Sequence, residues 1–291
     1  MGLYGMVDGV ISNAVFTVFE RALGKKLSES TVTKGLPCVD SPTPIVLGLT
    51  SYLTFVITGL LVIKSRNLKP RAREPLILQI FVIFHNTCCF LLSLYMCLGI
   101  IRQAILNRYS LWGNAYNPEQ VEMAHLVYIF YMSKYIEFLD TVIMILKAST
   151  RQITVLHVYH HASISFIWWV IAYHAPGGEA YFSAALNSGV HVAMYLYYLL
   201  AATLGKDEKV RRKYLWWGKY LTQLQMFQFC LNLAQAYTNL KNNAPYPRFL
   251  STILFYYMIS LLVLFANFYV HRYISPSEKK EGKVRKSRKA E

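Results

Sequence analysis

Acidic side chains are scarce in this chain, 15 Asp and Glu among 291 residues, and charged residues of both signs make up only 15% of it. An ordinary water-soluble domain carries about a quarter, so the shortage argues against a globular fold in water. Cysteine is sparse too. Cys38, Cys88, Cys89, Cys97 and Cys230 show no CxxC spacing, which indicates neither a zinc site nor a disulfide scaffold. Four of them sit in or against apolar runs and read as packing; a Cys97–Cys230 bond is a question of geometry. A basic start leading into an unbroken apolar core is also missing, so residues 1–27 do not read as a signal peptide.

What is present is apolar. Hydrophobic residues make up 55% of the chain, gathered into seven stretches near 45–63, 76–101, 122–146, 153–175, 180–204, 214–240 and 249–273. Each reaches the roughly 20 residues a helix needs to cross a bilayer. The expectation is an all-α polytopic membrane protein of seven transmembrane helices. Residues 1–44 form an N-terminal segment, 45–273 the membrane domain and 274–291 a basic tail. Within the first segment Val7, Val10, Ala14, Val18 and Ala22 recur at helical spacing, which predicts an amphipathic helix on the membrane surface. Lys34–Pro44, with three prolines, reads as a linker.

The net charge of +15 would suit nucleic acid if it were spread evenly, but 20 of the 30 Lys and Arg fall in 64–75, 147–152, 205–213 and the tail from Arg272. Those segments alternate with poorly charged ones, a topology signal that puts the tail in the cytosol and the N-terminus on the lumenal side. The ending Arg288-Lys289-Ala290-Glu291 is similar to a dilysine-type retrieval signal and favours the endoplasmic reticulum.

Two of the stretches are too polar for passive spans. The third carries Lys134, Glu137, Asp140 and Thr141 within about a third of the helix circumference. An ionisable group there costs about 2.5–3.5 kcal/mol on insertion scales and is normally paired, wet or functional. An i, i+3 ion pair between Lys134 and Glu137 is the bland reading, and it leaves Asp140 unexplained. The fourth opens with His157, His160 and His161, predicted on one face, whereas the lone His85 and His125 read as satisfied packing. The fifth adds Asn187, His191, Met194, Tyr195 and Tyr198, and the sixth Thr222, Gln225, Gln228, Phe229 and Asn232. Four consecutive helices with polar stripes are expected to surround a shared cavity.

These blocks, Lys134-Tyr-Ile-Glu137-Phe-Leu-Asp140-Thr141, His157-Val-Tyr-His160-His161, Asn187 to Tyr198 and Thr222 to Phe229, resemble in order and spacing the signatures of the ELO family of fatty acid elongases. The similarity runs from about Thr33 to Tyr273, and Ser110 to Pro118 resembles moss and liverwort elongases of delta-6-desaturated C18 acids. The resemblance implies a 3-ketoacyl-CoA synthase with an acyl tunnel, which joins acyl-CoA to malonyl-CoA with no cofactor and no metal. It works in membrane lipid beside a ketoacyl reductase, a dehydratase and an enoyl reductase.

No cysteine stands beside the histidine pattern, so an imidazole replaces the thiolate as nucleophile. His160 is the expected acyl acceptor, and His191 binds the incoming group or relays a proton. In this scheme His157 and His161 orient the site, Asp140 holds an imidazole in one tautomer, and Lys134 balances charge. Glu137, Thr141, Asn187, Tyr195, Tyr198, Thr222, Gln225 and Gln228 contact substrate, and Arg211, Arg212 and Lys213 meet CoA phosphates. Two other classes stay open on the residues alone. HxxHH is also the iron-binding spacing of membrane desaturases, which use about eight histidines in several boxes. Lys134, Glu137 and Asp140 would equally serve a seven-helix transporter.

Overall fold

The computed structural model describes residues 2–70, 74–205 and 207–271; the basic tail, the retrieval-type ending and part of the 64–75 segment lie outside the described residues. Among the described residues the regular structure is helical: α1 (Leu3–Leu23), α2 (Thr43–Ser65), α3 (Leu76–Leu106), α4 (Val121–Leu146), α5 (Val155–His174), α6 (Ala180–Thr203), α7 (Glu208–Tyr214), α8 (Gly218–Lys241) and α9 (Arg248–Tyr269). Seven of these fall on the seven apolar stretches. By length and composition α2, α3, α5 and α9 are apolar enough to cross a membrane. Helices α4, α6 and α8 are not, because they carry the polar stripes.

Helix starts follow local chemistry. Pro75 and Pro247 precede α3 and α9, and a proline stands in the first turn of α2, where a missing N–H costs nothing. Thr154 caps α5, its hydroxyl accepting from the His157 N–H at 3.1 Å, and so fixes the register of the histidine box. Asp207 caps α7 by accepting from Lys209 N at 2.8 Å. That cap turns the basic 205–213 segment into a short helix and delays α8 to Gly218, four residues later than the apolar pattern suggests.

Helix neighbours define the architecture. α3 packs on α4, α4 on α5, α5 on α9, α9 on α8, α8 on α6 and α6 back on α3, so six helices close a ring, and α2 lies outside it against α4 and α5. Polarity is inverted relative to a soluble bundle. His85, Lys134, Glu137, His191, Gln228 and Gln235 are buried, while Ile57, Leu61, Phe84, Leu91, Leu98 and Val263 are exposed. Such a surface is stable only where the surroundings are themselves apolar.

The end of the bundle away from the basic loops is closed by a strap and a loop. The stretch expected to be a linker and the residue before it are instead packed: Val39 and Thr33 are fully buried. Ser30 N and Thr33 Oγ1 donate to the Tyr173 and Ala172 carbonyls at 2.7 and 2.6 Å, and Trp169 Nε1 donates to Val39 O at 3.0 Å. The strap thus supplies the donors that the last turn of α5 lacks. Prolines made it irregular without making it loose. α1 leans on this end through Phe16, whose ring lies 5.3 Å from Tyr173, and leaves Val10 and Val18 exposed.

Glu179, at the start of α6, gathers the closure. Its Oε1 accepts from Asn114 N and Nδ2 at 2.5 and 3.0 Å, and its Oε2 from Gln235 Nε2 and Asn239 Nδ2 at 2.9 and 2.6 Å. One carboxylate so joins the 107–120 loop, α6 and α8. Nearby, burial pushes the Tyr109 and Tyr116 phenols above their ordinary range; Tyr109 donates to Gln120 and Tyr116 pairs with the Ser30 hydroxyl. Gly178 makes the approach possible: φ is +51°, and an added Cβ would stand 2.7 Å from Tyr116 N. Gly178→Ala is therefore expected to combine the left-handed penalty of about 1–2 kcal/mol with an unrelieved backbone clash. Gly113→Ala, at φ +88° with open space around it, carries the first cost alone. Thermal unfolding of the purified protein in detergent should show a clearly larger loss for Gly178→Ala.

Candidate active site

Lys134, one turn before Glu137 on α4, is 2% exposed and donates to Glu137 Oε1 at 2.6 Å. The bland reading of this pair is present, with more built on it. Lys134 Nζ also reaches Asn187 Oδ1 on α6 at 3.3 Å and stands 4.1 Å over the Phe130 ring. Ser133 Oγ donates to the same Glu137 oxygen at 3.2 Å, and His191 Nδ1 lies 3.5 Å from it. An ammonium taken from water is tolerated when a carboxylate and further dipoles surround it. The pair fastens α4 to α6 and links His191 to Asn187.

One turn on, Asp140 accepts from His85 Nε2 on α3 and from the Tyr195 hydroxyl on α6, both at 2.8 Å. The expected imidazole partner of Asp140 exists, and it is His85, which the sequence suggested was packing. Thr141 turns to another side, its Oγ1 2.8 Å from His157 Nε2 and 3.0 Å from the Tyr52 hydroxyl of α2. The α4 stripe therefore fans out to four helices.

The histidine box divides in the same way. His157 faces α4, whereas His160 Nδ1 lies 3.2 Å from the Tyr257 hydroxyl on α9. His161, buried between them, has its ring centre 4.4 Å from that of His157 and 5.6 Å from that of His160. Offsets of three and four put neighbours within reach, but a 20-residue helix inside a ring has partners on more than one side.

Beyond His160, a partly open pocket lies between α5, α6, α8 and α9, with residues of all four helices in its lining. Ile164, Trp168, Leu254, Met258 and Leu261 make its walls apolar. Polar groups recur along its length: His160, Asn187, Gln228 and Tyr257 towards one end, the Ser183–Asn232 pair between, and Glu179 and Asn239 towards the other. From His160 to Ile171, both lining it, α5 rises about 16 Å. Lys134 holds Asn187 by its oxygen, which leaves the amide N–H groups for the cavity.

The sequence matches the family profile described as ELO: GNS1/SUR4 family over residues 37–281. This chain belongs to the ELO family. Among curated relatives, "Fatty acid elongase 6" of Leishmania major is 40% identical over 79% of this chain and 60% of its own length. "Very long chain fatty acid elongase 4" of Homo sapiens is 35% identical over 85% of this chain and 77% of the relative. "Very long chain fatty acid elongase 2" of Mus musculus is 37% identical over 80% of each. The chain thus spans about three fifths of the Leishmania protein and about four fifths of the mouse one.

Among the ELO signature residues, His160, Asn187 and Gln228 line the cavity, while Lys134, Glu137 and His191 stand one layer behind Asn187. Thr222 and Tyr195 are buried, Gln225 donates to Met194 Sδ at 2.9 Å, and Tyr198 is 39% exposed with its ring against Tyr195. Arg211 donates to the Ala201 and Gly205 carbonyls at 3.3 and 2.9 Å, closing the end of α6, whereas Arg212 is exposed and Lys213 stands over the Tyr214 ring. Cys97 and Cys230 are both free thiols. Sequence reasoning missed Tyr257, Ser163 and Glu179; their partners are 94 or 97 positions away in one case and 56 to 65 in the other, beyond any local period.

Removing one half of the Lys134–Glu137 pair leaves a lone buried charge, a loss of about 3–5 kcal/mol. Lys134→Met is expected to lower the apparent Tm sharply, and adding Glu137→Leu to it should recover most of that loss while leaving the enzyme inactive.

Proposed function

We propose that this chain is the condensing enzyme of microsomal fatty acid elongation, a 3-ketoacyl-CoA synthase that joins an acyl-CoA to malonyl-CoA and releases CO2 and CoA. The observation that carries this reading is His160 lining a largely apolar cavity between α5, α6, α8 and α9. Family membership and the elongase names of its relatives support it and do not favour an iron desaturase or a transporter. The seven long helices are read as seven spans, with the N-terminus lumenal and the tail cytosolic, in the endoplasmic reticulum membrane. A C18 polyunsaturated acyl chain is the proposed substrate, its tail lying along Ile164, Trp168 and Leu254.

The reaction has two halves. The His160 imidazole attacks the thioester carbonyl, the C–S bond breaks, and CoA leaves as thiolate. Malonyl-CoA then loses CO2, and its carbanion attacks the acyl-imidazole carbonyl, forming the new C–C bond and returning the imidazole. Asn187 and Gln228 are placed to donate to the carbonyl oxygen as it gains charge. His191, with Glu137 beside it, serves the malonyl half as base or proton relay. Asp140 holds His85 and Tyr195, and Thr141 holds His157, which keeps the two halves in register.

Incubation with acyl-CoA alone should release CoA and leave an acyl mass on the peptide carrying His157–His161. His160→Ala and His191→Ala should both abolish turnover in a folded protein, and only His160→Ala should also abolish CoA release. Bound acyl-CoA with no adduct and no released CoA, in a preparation that turns over once malonyl-CoA is added, would show direct condensation instead.

CoA phosphates are expected to meet the exposed cations of α7. Because Arg211 is engaged at the end of α6, the informative variant is Arg212→Gln with Lys213→Gln. Its KM for malonyl-CoA should rise several-fold with kcat little changed.

A further inference from the structure

His85 stands outside the signature blocks, on α3, a helix apolar enough to cross a membrane, yet its side chain is buried against a carboxylate. His85 Nε2 lies 2.8 Å from Asp140 Oδ1, and the Tyr195 hydroxyl donates to Asp140 Oδ2 at the same distance. A carboxylate held at one oxygen still swings about its last torsion; held at both, it keeps one plane. Asp140 is thus fixed from α3 on one side and α6 on the other.

The fixed group passes its orientation on. Tyr195 is buried, and its ring stands nearly perpendicular to two imidazoles, 6.3 Å from that of His85 at 83° and 5.6 Å from that of His191 at 78°. Perpendicular rings at such spacing are a favoured aromatic arrangement. The other neighbour of His191 holds it less firmly. Glu137 Oε1 lies 3.5 Å from His191 Nδ1, at the limit of a hydrogen bond, and is already taken by Lys134 at 2.6 Å and Ser133 at 3.2 Å. Glu137 draws the imidazole in, and the Tyr195 ring sets its plane. The contacts form a line from α3 to the site: His85, Asp140, Tyr195, His191.

We infer that His85 is a positioning residue for His191, acting through Asp140 and Tyr195, and that it serves the malonyl half of the reaction. The inference deepens the proposed function and rests on its assignment of the acyl half to His160 and the malonyl half to His191. His160 takes its side-chain support from Tyr257 on α9, so loosening the line from α3 should spare acyl transfer.

The two half-reactions separate this role from a general loss of packing. His85→Phe keeps a ring against Tyr195 and removes the group that engages Asp140. In lipid nanodiscs it should release CoA from acyl-CoA alone at a rate within about twofold of wild type, while kcat for 3-ketoacyl-CoA falls by about tenfold or more, the scale of a small misplacement. KM for malonyl-CoA should change little. His85→Gln, whose amide can donate to the same oxygen, should recover most of the condensation rate. Tyr195→Phe should also slow condensation, and the double variant should be no slower than the slower single one, because both substitutions break one line. A His85→Phe enzyme with wild-type condensation, losses of CoA release and condensation in equal proportion in both single variants, or losses that multiply in the double variant would overturn the inference. A wild type that releases no CoA until malonyl-CoA is added would overturn the covalent route alone. In that case losses in kcat that do not multiply, at unchanged acyl-CoA affinity, uphold the positioning, and losses that multiply overturn it.

Discussion

Everything near the site is arranged around the burial of Lys134. An ammonium 2% exposed inside the ring has to be matched by acceptors, and the acceptors come from both neighbours in the chain and a helix across the ring. Glu137 neutralises it, Asn187 accepts its remaining reach, and the Phe130 face covers it. The consequence for chemistry is indirect. With its oxygen held, Asn187 presents only donors to the cavity, and with Glu137 held, His191 has an oriented carboxylate at 3.5 Å. The α4 charges do not line the cavity; they set the groups that do.

Lipid as solvent explains the division of labour among helices. Every polar group must be satisfied within the protein, so polar stripes face inward and meet one another: α4 with α6 and α3, α5 with α4 and α9, α8 with the start of α6. Helices α2, α3, α5 and α9 keep enough apolar surface to qualify as spans by composition, and α4, α6 and α8 do not. The three helices that do not qualify supply Lys134, Asn187, His191 and Gln228. Low hydropathy in a long helix is here the mark of the site.

Much of this was legible in the sequence, for a physical reason. Helical periodicity reports which residues share a face, and the stripes on α4, α6 and α8 indeed turn inward. Periodicity does not report how many partners a face meets, so the α4 stripe was read as one surface when it serves four helices. The histidine box was read the same way, although His157 and His160 look to different helices. Lone residues carry no period, which is why His85 passed for packing while it holds Asp140. Glu179 and Tyr257 were invisible because their partners come from other elements. Lys34–Pro44 was taken as a linker because proline signals irregularity, and irregularity says nothing about burial; Val39 is fully buried there.

The two sides of α5 are chemically unlike, and a covalent mechanism requires that difference. Toward α4 and α6 the surroundings hold Lys134, Glu137, Asp140 and His191, a setting of charges and fixed dipoles suited to a decarboxylation that begins and ends with ionised groups. Toward α9 the polar contacts of His160 come from the phenol of Tyr257, at Nδ1 and at the carbonyl, and from Ser163 Oγ at the carbonyl. A neutral imidazole keeps its lone pair available in such a place, whereas a carboxylate partner would favour the imidazolium and remove the nucleophile. A tyrosine supplies orientation without charge. In the proposed mechanism, the carboxylates on one face of α5 and the phenol on the other would let the two histidine functions, one proton-transferring and one acyl-accepting, coexist within a single ring of helices.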